Sequence, residues 1–287
     1  MKKIIVPTDF SDLSTHALDF AIKLAAKLDA EVDLLHLEEV PLGDLSLHLT
    51  GEASGSHISE DSLYNAQLFR ANNKKLANLK NSYQQEGVTV KTRQYGGGFL
   101  NGIKHFIETE GGDLVVIGTT GEESIQEFFS GNHTEQLIEH ISVPVISIQD
   151  RLYHEIEDIV LGLDMEDENY SHSAFEMVKV IVEALKATLH IVSITRSKDD
   201  EELLYRLNAL AQNAGVTNFM IDVIEDSNTR DAFLEYAGGV DAGLLIAITE
   251  AKPGINRFLQ QSFATRLTKS SSIPVMTINK RLLSKNL

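Results

Sequence analysis

The sequence predicts an α/β protein made of two tandem, doubly wound, open parallel sheets of five strands each. Apolar runs too short for helices alternate with longer segments whose apolar residues recur every three or four positions, which is the pattern of strands alternating with helices. The same order of segments begins again near residue 159 of the 287. A helix between successive strands favours parallel strands joined by right-handed crossovers. Two similar domains are therefore expected.

The composition is that of a globular protein and excludes several classes. With 43% hydrophobic residues there is enough apolar material for two cores, and the absence of cysteine excludes disulfides, thiol catalysis and cysteine-ligated zinc. A net charge of −17 disfavours nucleic acids and anionic membranes as partners. The N-terminal apolar run ends at Pro7, too early for a signal peptide or membrane span, so a cytoplasmic location is expected.

The first strands and helices of the first repeat follow from their periodicity. Lys3–Pro7 and Glu31–Leu37 are expected to form the first two strands. Between them, Ser14–Leu28 repeats apolar residues at helical spacing, with Asp12 or Ser14 as its cap. Residues 41–60 have no periodicity and predict a loop.

A long polar helix is predicted from Asp61 to Glu86, stopped by Gly87. Its sheet-facing residues are expected to be Leu63, Leu68, Leu76, Leu79 and Tyr83. Val88–Tyr95 alternates apolar and polar residues, as in a strand near a sheet edge. Three glycines at 96–98 then predict a turn into the helix Phe99–Glu110, with an anion-binding nest as the alternative.

The next strand carries the most informative pattern. Leu114–Ile117 is apolar and β-branched, as expected for a strand buried on both faces. Glycines 118, 121 and 131 follow with the spacing G-x2-G-x9-G, and Asn132 precedes the predicted helix Thr134–Ile141. Glycine lets a ligand lie against bare backbone, and a helix N-terminus points free N–H groups at an anion. This pattern predicts a phosphate cradle before the last strand, Val143–Ile148.

Together with Pro7-Thr8-Asp9 and with Pro144, this glycine loop resembles the universal stress protein family. The spacing matches the nucleotide-binding branch of the family, and the departure is Asn132, where that branch has Ser or Thr. The resemblance implies an adenine nucleotide alpha hydrolase-like, Rossmann-like fold. It also implies ATP or AMP as ligand, with Mg²⁺ or Mn²⁺ bound to the phosphates.

The resemblance implies a role for each matching residue. Asp9 would bond the adenosine end, Pro7 and Thr8 would shape the pocket, Leu37 would contact the adenine, and Ile117 would line the floor. Gly118 and Gly121 would let backbone approach the ribose and phosphates, and the phosphates would be bound by Gly131, Asn132, His133 and Thr134. Taken singly, Asp9 and Thr134 have an alternative interpretation as helix caps.

The second copy lacks this glycine loop. Pro144 and Pro274 lie 130 residues apart, and the same offset places Ile248, Ala251 and Gln261 at the three glycine positions. Side chains there would fill the space of a pyrophosphate, so Asp164, the counterpart of Asp9, is not expected to form a site alone. The predicted domains are 1–150, with the nucleotide loop, and 155–281, with a degenerate loop, and their boundary lies between Asp150 and Glu157.

The charge of the loop argues against tight ATP binding unless a further positive charge is supplied. No Lys or Arg occurs between Lys104 and Arg151, whereas Glu122, Glu123 and Glu127 lie within the loop. A divalent cation or a basic residue of another chain would have to offset a triphosphate, and otherwise AMP or no nucleotide is expected.

Three functions are compatible with these residues. The leading hypothesis is a stress-response binding and signalling module. The second is a slow ATPase or phosphotransferase, although the sequence has no P-loop, no G-x-S-x-G and no H-E-x-x-H, and its histidines form no compact metal ligand set. The third is an interaction protein that binds no nucleotide. The resemblance further implies that the last strands of the two repeats pair within the chain as a pseudo-dimer, and a homodimer is the further assembly considered.

Overall fold

The computed structural model describes residues 1–38, 60–83, 87–119, 131–149, 154–163, 172–195, 201–225, 229–249, 267 and 271–283. The chain divides into two compact units, an N-terminal unit of Lys2–Val116 and a C-terminal unit of Ile117–Leu287 with Met1. This division crosses the fourth strand and does not coincide with the predicted repeat boundary, which lies inside the C-terminal unit. The repeat boundary therefore stays a prediction.

The N-terminal unit is a parallel sheet flanked by helices, as predicted. Its strand order is β3-β2-β1-β4, and β1 pairs in parallel with both β2 and β4. The elements are β1 (Lys3–Thr8), α1 (Asp12–Leu28), β2 (Glu31–Glu38), α2 (Glu60–Ser82), β3 (Val90–Gly96), α3 (Phe99–Glu110) and β4 (Leu114–Gly118), whose last two residues belong to the C-terminal unit. The glycines at 97 and 98 have positive φ and form the predicted turn before α3.

The start of α1 differs from the prediction. The N-cap is Ser11, whose hydroxyl accepts a hydrogen bond from the Ser14 amide at 3.2 Å, so neither Asp12 nor Ser14 is the cap. Asp12 instead lies in the first turn, where a negative charge is favoured by the helix dipole. The helix ends on Asp29, which adopts the left-handed conformation common at helix ends.

The buried face of α2 is only partly the predicted one. Leu76 is buried, but Leu68 is exposed, and the polar Asn72 is buried in its place. Tyr83, just beyond the helix, donates a hydrogen bond to the Asp19 carboxylate of α1. The side chain of Leu63 lies outside the described part of the chain. Hydrogen bonding as well as apolar burial therefore holds α2 against the sheet.

The C-terminal unit contains the rest of β4 and the whole second repeat. The sheet order is β4-β5-β10-β9-β6-β7-β8, so β8-β7-β6-β9 repeats the order β3-β2-β1-β4 of the N-terminal unit. Its core includes Val160, Val192, Phe233 and Leu245. The elements are α4 (Gly131–His140), β5 (Val145–Ile148), β6 (Asp158–Leu163), α5 (His172–Leu185), β7 (Thr188–Thr195), α6 (Glu201–Asn213), β8 (Phe219–Glu225), α7 (Thr229–Gly239), β9 (Leu244–Thr249), β10 (Val275–Asn279) and α8 (Lys280–Leu283).

The last strands of the two repeats pair antiparallel, as the family resemblance implies. Val275 lies opposite Ser147 and Thr277 opposite Val145, and the Ser147 hydroxyl donates to the Val275 carbonyl at 3.2 Å. The side-chain amide of Asn279 donates a hydrogen bond of 2.8 Å to the Ile138 carbonyl. The sheet is thus continuous across β5 and β10, and does not end at either strand. None of the described helices is both long and apolar enough to span a membrane.

Candidate functional site

Asp9 lies directly beyond the carboxyl end of β1, where ligands bind in open α/β sheets. Its Oδ1 accepts two hydrogen bonds from Ser11, one from the amide at 3.0 Å and one from the hydroxyl at 2.6 Å. Within the described residues, its second oxygen, Oδ2, receives no hydrogen bond. Asp9 therefore orients the cap residue of α1 without being the cap, and it keeps one carboxylate oxygen for another donor.

The turn that carries Asp9 is held on both sides. Thr8 is buried, and its hydroxyl accepts from the Phe10 amide and lies 3.0 Å from the Ser14 hydroxyl. Phe10 has a φ of 67°, in the left-handed region that residues with a side chain rarely adopt. Its ring lies 4.5 Å from the His36 ring on one side, and the Lys75 ammonium lies 4.9 Å from its centroid.

Behind this turn, buried polar side chains of β2 and α2 form a hydrogen-bonded chain. His36 Nδ1 lies 2.8 Å from the Thr8 carbonyl, and the Asn72 side-chain nitrogen lies 3.1 Å from His36 Nε2. The same nitrogen donates to Glu38 at 3.1 Å, and Gln94 also donates to Glu38. His36, Glu38 and Asn72 are all buried. We name this set, with Gln94, the His36 chain.

Sequence reasoning missed the His36 chain. His36 and Glu38 are polar residues in a strand that is mostly buried, and the sequence analysis considers the histidines only as metal ligands and finds no compact ligand set. The signal that could have identified them is that burial on both faces of a strand leaves a polar side chain no access to water, so it needs a partner within the protein. Which residue supplies that partner, here Asn72, depends on which face of α2 packs against the sheet.

The other predicted residues of the N-terminal unit are buried in its sheet. Pro7 and Thr8 pair in register with Leu35 and His36. Leu37 is buried and faces α3, since a side-chain carbon at Gly102 would lie 2.5 Å from Leu37 Cδ2. This packing gives Leu37 a structural role, and its contact with adenine stays a prediction.

The remaining predicted residues belong to the C-terminal unit, except Gly121, which lies outside the described residues. Ile117 and Gly118 are buried in β4, and the following Thr119 amide donates to the Ile148 carbonyl of β5 at 2.8 Å. Helix α4 begins at Gly131, so Asn132 and His133 lie in its first turn, three residues earlier than predicted. The N-terminus of α4 offers free backbone amides to an anion.

Thr134 is the most informative residue of α4. It lies inside the helix, so the alternative in which it caps the helix is wrong. Its side chain is 1% exposed, and its hydroxyl has no hydrogen-bond partner among the described residues. A buried hydroxyl without a partner is unfavourable in the free protein.

In the second repeat, Ile248 occupies the position of Gly118 and lies in β9, half-buried. The other two counterparts, Ala251 and Gln261, and Asp164, fall outside the described residues. The second repeat therefore has an isoleucine side chain at the position where the first repeat has a glycine.

A second, partly buried polar chain lies in the second repeat. His190 Nε2 lies 2.8 Å from Asp158 Oδ1, and His190 Nδ1 lies 2.9 Å from the Tyr236 hydroxyl. Tyr236 in turn donates to Asp222 at 2.5 Å. Burial, with the bond to Asp222 and its charge, raises the pKa of Tyr236 well above its usual value. Within the described ranges, no group of three or more His, Asp or Glu residues could hold a metal ion.

The chain is similar to universal stress proteins. The family model described as the universal stress protein family matches residues 1–149. A universal stress protein of Methanocaldococcus jannaschii is 32% identical over 148 residues, which cover 52% of this chain and 82% of that protein. Another, from Synechocystis, is 23% identical over 295 residues, covering 96% of this chain and 99% of its own length.

Among solved structures, a universal stress protein from Archaeoglobus fulgidus has a TM-score of 0.74 at 15% identity. The match covers 97% of this chain and 98% of that one. At this identity the likeness shows the fold alone, and it shows it over both repeats.

Proposed function

The chain belongs to the universal stress protein family, and from that premise we propose that its first repeat, residues 1–150, binds an adenine nucleotide, ATP or AMP. In this proposal the protein acts in the cytoplasm as a stress-response binding and signalling module. The second repeat, residues 155–281, keeps the fold without a nucleotide loop.

The observation that carries the proposal is the geometry of Asp9. One carboxylate oxygen is fixed by two bonds from Ser11, and the other receives no hydrogen bond from the described residues. A ribose presents hydroxyl donors, and a carboxylate accepts them strongly. The position of Asp9 at the carboxyl end of β1, beside the parallel strand β4, supports this role.

The start of α4 supports binding of the phosphates. The first amides of a helix lack partners within it and attract anions. The Thr134 hydroxyl, buried and without a partner among the described residues, is a donor that a phosphate oxygen would satisfy.

The acidic sequence around the loop decides which form of nucleotide is expected. With no Lys or Arg between Lys104 and Arg151, backbone dipoles alone would face the phosphates of ATP. Mg²⁺ or Mn²⁺ would neutralise part of that charge, and it would enter bound to the phosphates, since the described residues supply no metal ligand set of their own. We therefore expect Mg-ATP to bind more tightly than metal-free ATP, and AMP to depend on metal least.

Isothermal titration of the full chain with Mg-ATP, AMP and Mg-GTP tests the proposal. Asp9→Asn should weaken adenine nucleotide binding by about tenfold or more, because the charge is lost while the amide oxygen can still accept from Ser11. The matched control is Asp12→Asn, which changes an exposed carboxylate three residues away and should bind as the wild type does.

Two results would contradict the proposal. One is the absence of heat with the wild-type chain at millimolar nucleotide, which would leave the interaction protein as the remaining hypothesis. The other is equal binding by the Asp9→Asn and Asp12→Asn variants. ATP hydrolysis that survives Asp9→Asn unchanged would indicate a contaminating enzyme, and so would not support a slow ATPase.

A further inference from the structure

The turn at Asp9 contains an unusual backbone conformation. Four described residues other than glycine have positive φ, and three of them, Asp29, Lys186 and Asp241, lie just beyond the end of a helix, where this conformation is common. Phe10 is the exception, since it lies before a helix and has a bulky side chain. Such outliers persist only where neighbouring structure imposes them, and they cluster at functional sites.

His36 contacts the residues on both sides of Asp9. Its Nδ1 lies 2.8 Å from the Thr8 carbonyl, so this nitrogen must carry the proton and donate. Its ring lies against the Phe10 ring at 4.5 Å, with an angle of 34° between the planes. The backbone before Asp9 and the side chain after it are therefore held by one imidazole.

The rest of the His36 chain fixes that imidazole. With the proton on Nδ1, Nε2 accepts one hydrogen of the Asn72 amide, and the other hydrogen goes to Glu38. Glu38 is held in turn by Gln94 of β3. Buried and hydrogen-bonded at both ring nitrogens, His36 cannot rotate without leaving a buried polar group unpaired.

We infer that His36 is a positioning residue for Asp9: it holds the Thr8–Phe10 turn in the conformation that presents the free carboxylate oxygen. This inference rests on the proposed nucleotide role of Asp9, because presentation has a binding consequence only if a nucleotide is the ligand. The claim about the turn itself is structural and can be measured without nucleotide.

The test compares His36→Leu with His36→Asn in the full chain. The side-chain nitrogen of Asn lies where Nδ1 lies and can donate to the Thr8 carbonyl, whereas Leu, of similar size, cannot. If the competent turn falls to about a tenth of the molecules in His36→Leu, the apparent dissociation constant for Mg-ATP rises about tenfold. His36→Asn should restore binding to within about threefold of the wild type, a rescue that loss of packing alone would not produce.

A second readout uses no ligand. The Ser11 amide donates to Asp9 Oδ1, so its hydrogen-exchange protection reports the turn. The protection of the Ser11 amide should fall in His36→Leu and recover in His36→Asn. The Ala30 amide lies just beyond the far end of α1 and donates to the Ala25 carbonyl, and it should stay protected in both variants. Should His36→Leu fail to fold, Phe10→Gly carries the test, because glycine tolerates the backbone conformation but removes the ring contact with His36.

The outcomes separate the two ideas. Unchanged Ser11 protection in the tested variants would overturn the positioning role, as would wild-type affinity in His36→Leu. Wild-type protein that binds no nucleotide would overturn the proposed function, and the exchange of the Ser11 amide would still decide whether His36 holds the turn.

Discussion

At the scale of single residues, two buried polar side chains of this protein have no hydrogen-bond partner among the described residues. Thr134 has its hydroxyl inside α4 without a hydrogen bond from the described residues, and Asp33 has neither carboxylate oxygen hydrogen-bonded there. Both side chains are 1% exposed. Each arrangement costs free energy in the free protein, and the two have different consequences.

Replacing Thr134 by valine should stabilise the protein and weaken nucleotide binding. Valine has nearly the shape of threonine and removes the unpaired hydroxyl, so the free energy of unfolding should rise by about 1 kcal/mol. The phosphate would lose a donor, and affinity for Mg-ATP should fall about tenfold. Chemical denaturation and titration of the same preparation measure both effects. Equal affinity in Thr134→Val and wild type would remove Thr134 from the phosphate site.

Replacing Asp33 by asparagine should stabilise the protein at neutral pH. Burial raises the pKa of Asp33, and this effect exceeds the opposing attraction of Lys3, whose ammonium lies 3.7 Å away. A folded-state pKa above the unfolded one gives stability that is present below the unfolded value, about 3.9, and is lost as pH rises through the folded value. The advantage of Asp33→Asn in urea denaturation should therefore be present at pH 7 and vanish near pH 3.

Lys3 keeps the Glu110 carbonyl and Glu31 as partners in this variant. A less stable Asp33→Asn protein at pH 7 would mean that the Lys3–Asp33 attraction outweighs burial.

At the scale of elements, the two repeats place different ionisable residues at three equivalent positions. Lys3 pairs with Glu31 in register as Asp158 pairs with Thr188, so the third residues of β2 and β7, Asp33 and His190, are equivalent. The same registers match Arg93 of β3 with Asp222 of β8. In the first repeat an anion lies between two cationic positions, and in the second a histidine lies between two carboxylates. The outer two of these positions therefore carry opposite charges in the two repeats, and the middle one is Asp33 in the first repeat and His190 in the second.

Replacing the histidine at the centre of the second chain by an aspartate tests whether these positions are coupled. His190→Asp places a carboxylate beside Asp158 and removes the imidazole that bonds Tyr236, and should lower the free energy of unfolding by about 1–3 kcal/mol. Adding Asp158→Lys recreates the Lys3–Asp33 pair of the first repeat and should recover part of that loss. Thermal denaturation of the single and double variants measures the recovery. No recovery in the double variant would show that the two positions are not coupled.

The sequence predicts the elements better than their faces. Short apolar runs and helical spacing placed the main strands and helices because burial of a whole strand or one helix face dominates those patterns. The orientation of α2 was partly wrong, since Leu68 is exposed and Asn72 is buried against His36 and Glu38. A polar residue that is buried because it bonds a residue of another element does not follow the spacing of the apolar residues, so the sequence pattern does not reveal it. The cap at Ser11 was missed for a similar reason, because Asp9, Asp12 and Ser14 are equally good caps by residue type.

At the scale of the whole molecule, charge repulsion is a general cost. The chain carries a formal net charge of −17. Like charges destabilise a compact state more than an expanded one, and salt screens them. Surface charge of this size therefore makes stability depend on ionic strength.

Thermal stability should rise with added monovalent salt in the absence of nucleotide. Between about 0.01 M and 0.1 M salt the screening length falls from roughly 30 Å to 10 Å, which weakens repulsion across the surface. A gain of about 1 kcal/mol would raise the Tm by about 2–4 °C. Equal shifts with NaCl and KCl would identify screening, whereas a Tm that falls over this range would show that favourable ion pairs outweigh the repulsion.

The antiparallel pairing of β5 with β10 has a consequence for how such a protein behaves at low abundance. Two separate copies that met through these strands would dissociate on dilution, whereas strands carried by one polypeptide meet at an effective concentration that does not depend on how much protein the cell makes. The tether also keeps the two repeats in a fixed ratio of one to one in every molecule. Because both strands belong to one polypeptide, the two pairing partners are always made in equal amounts.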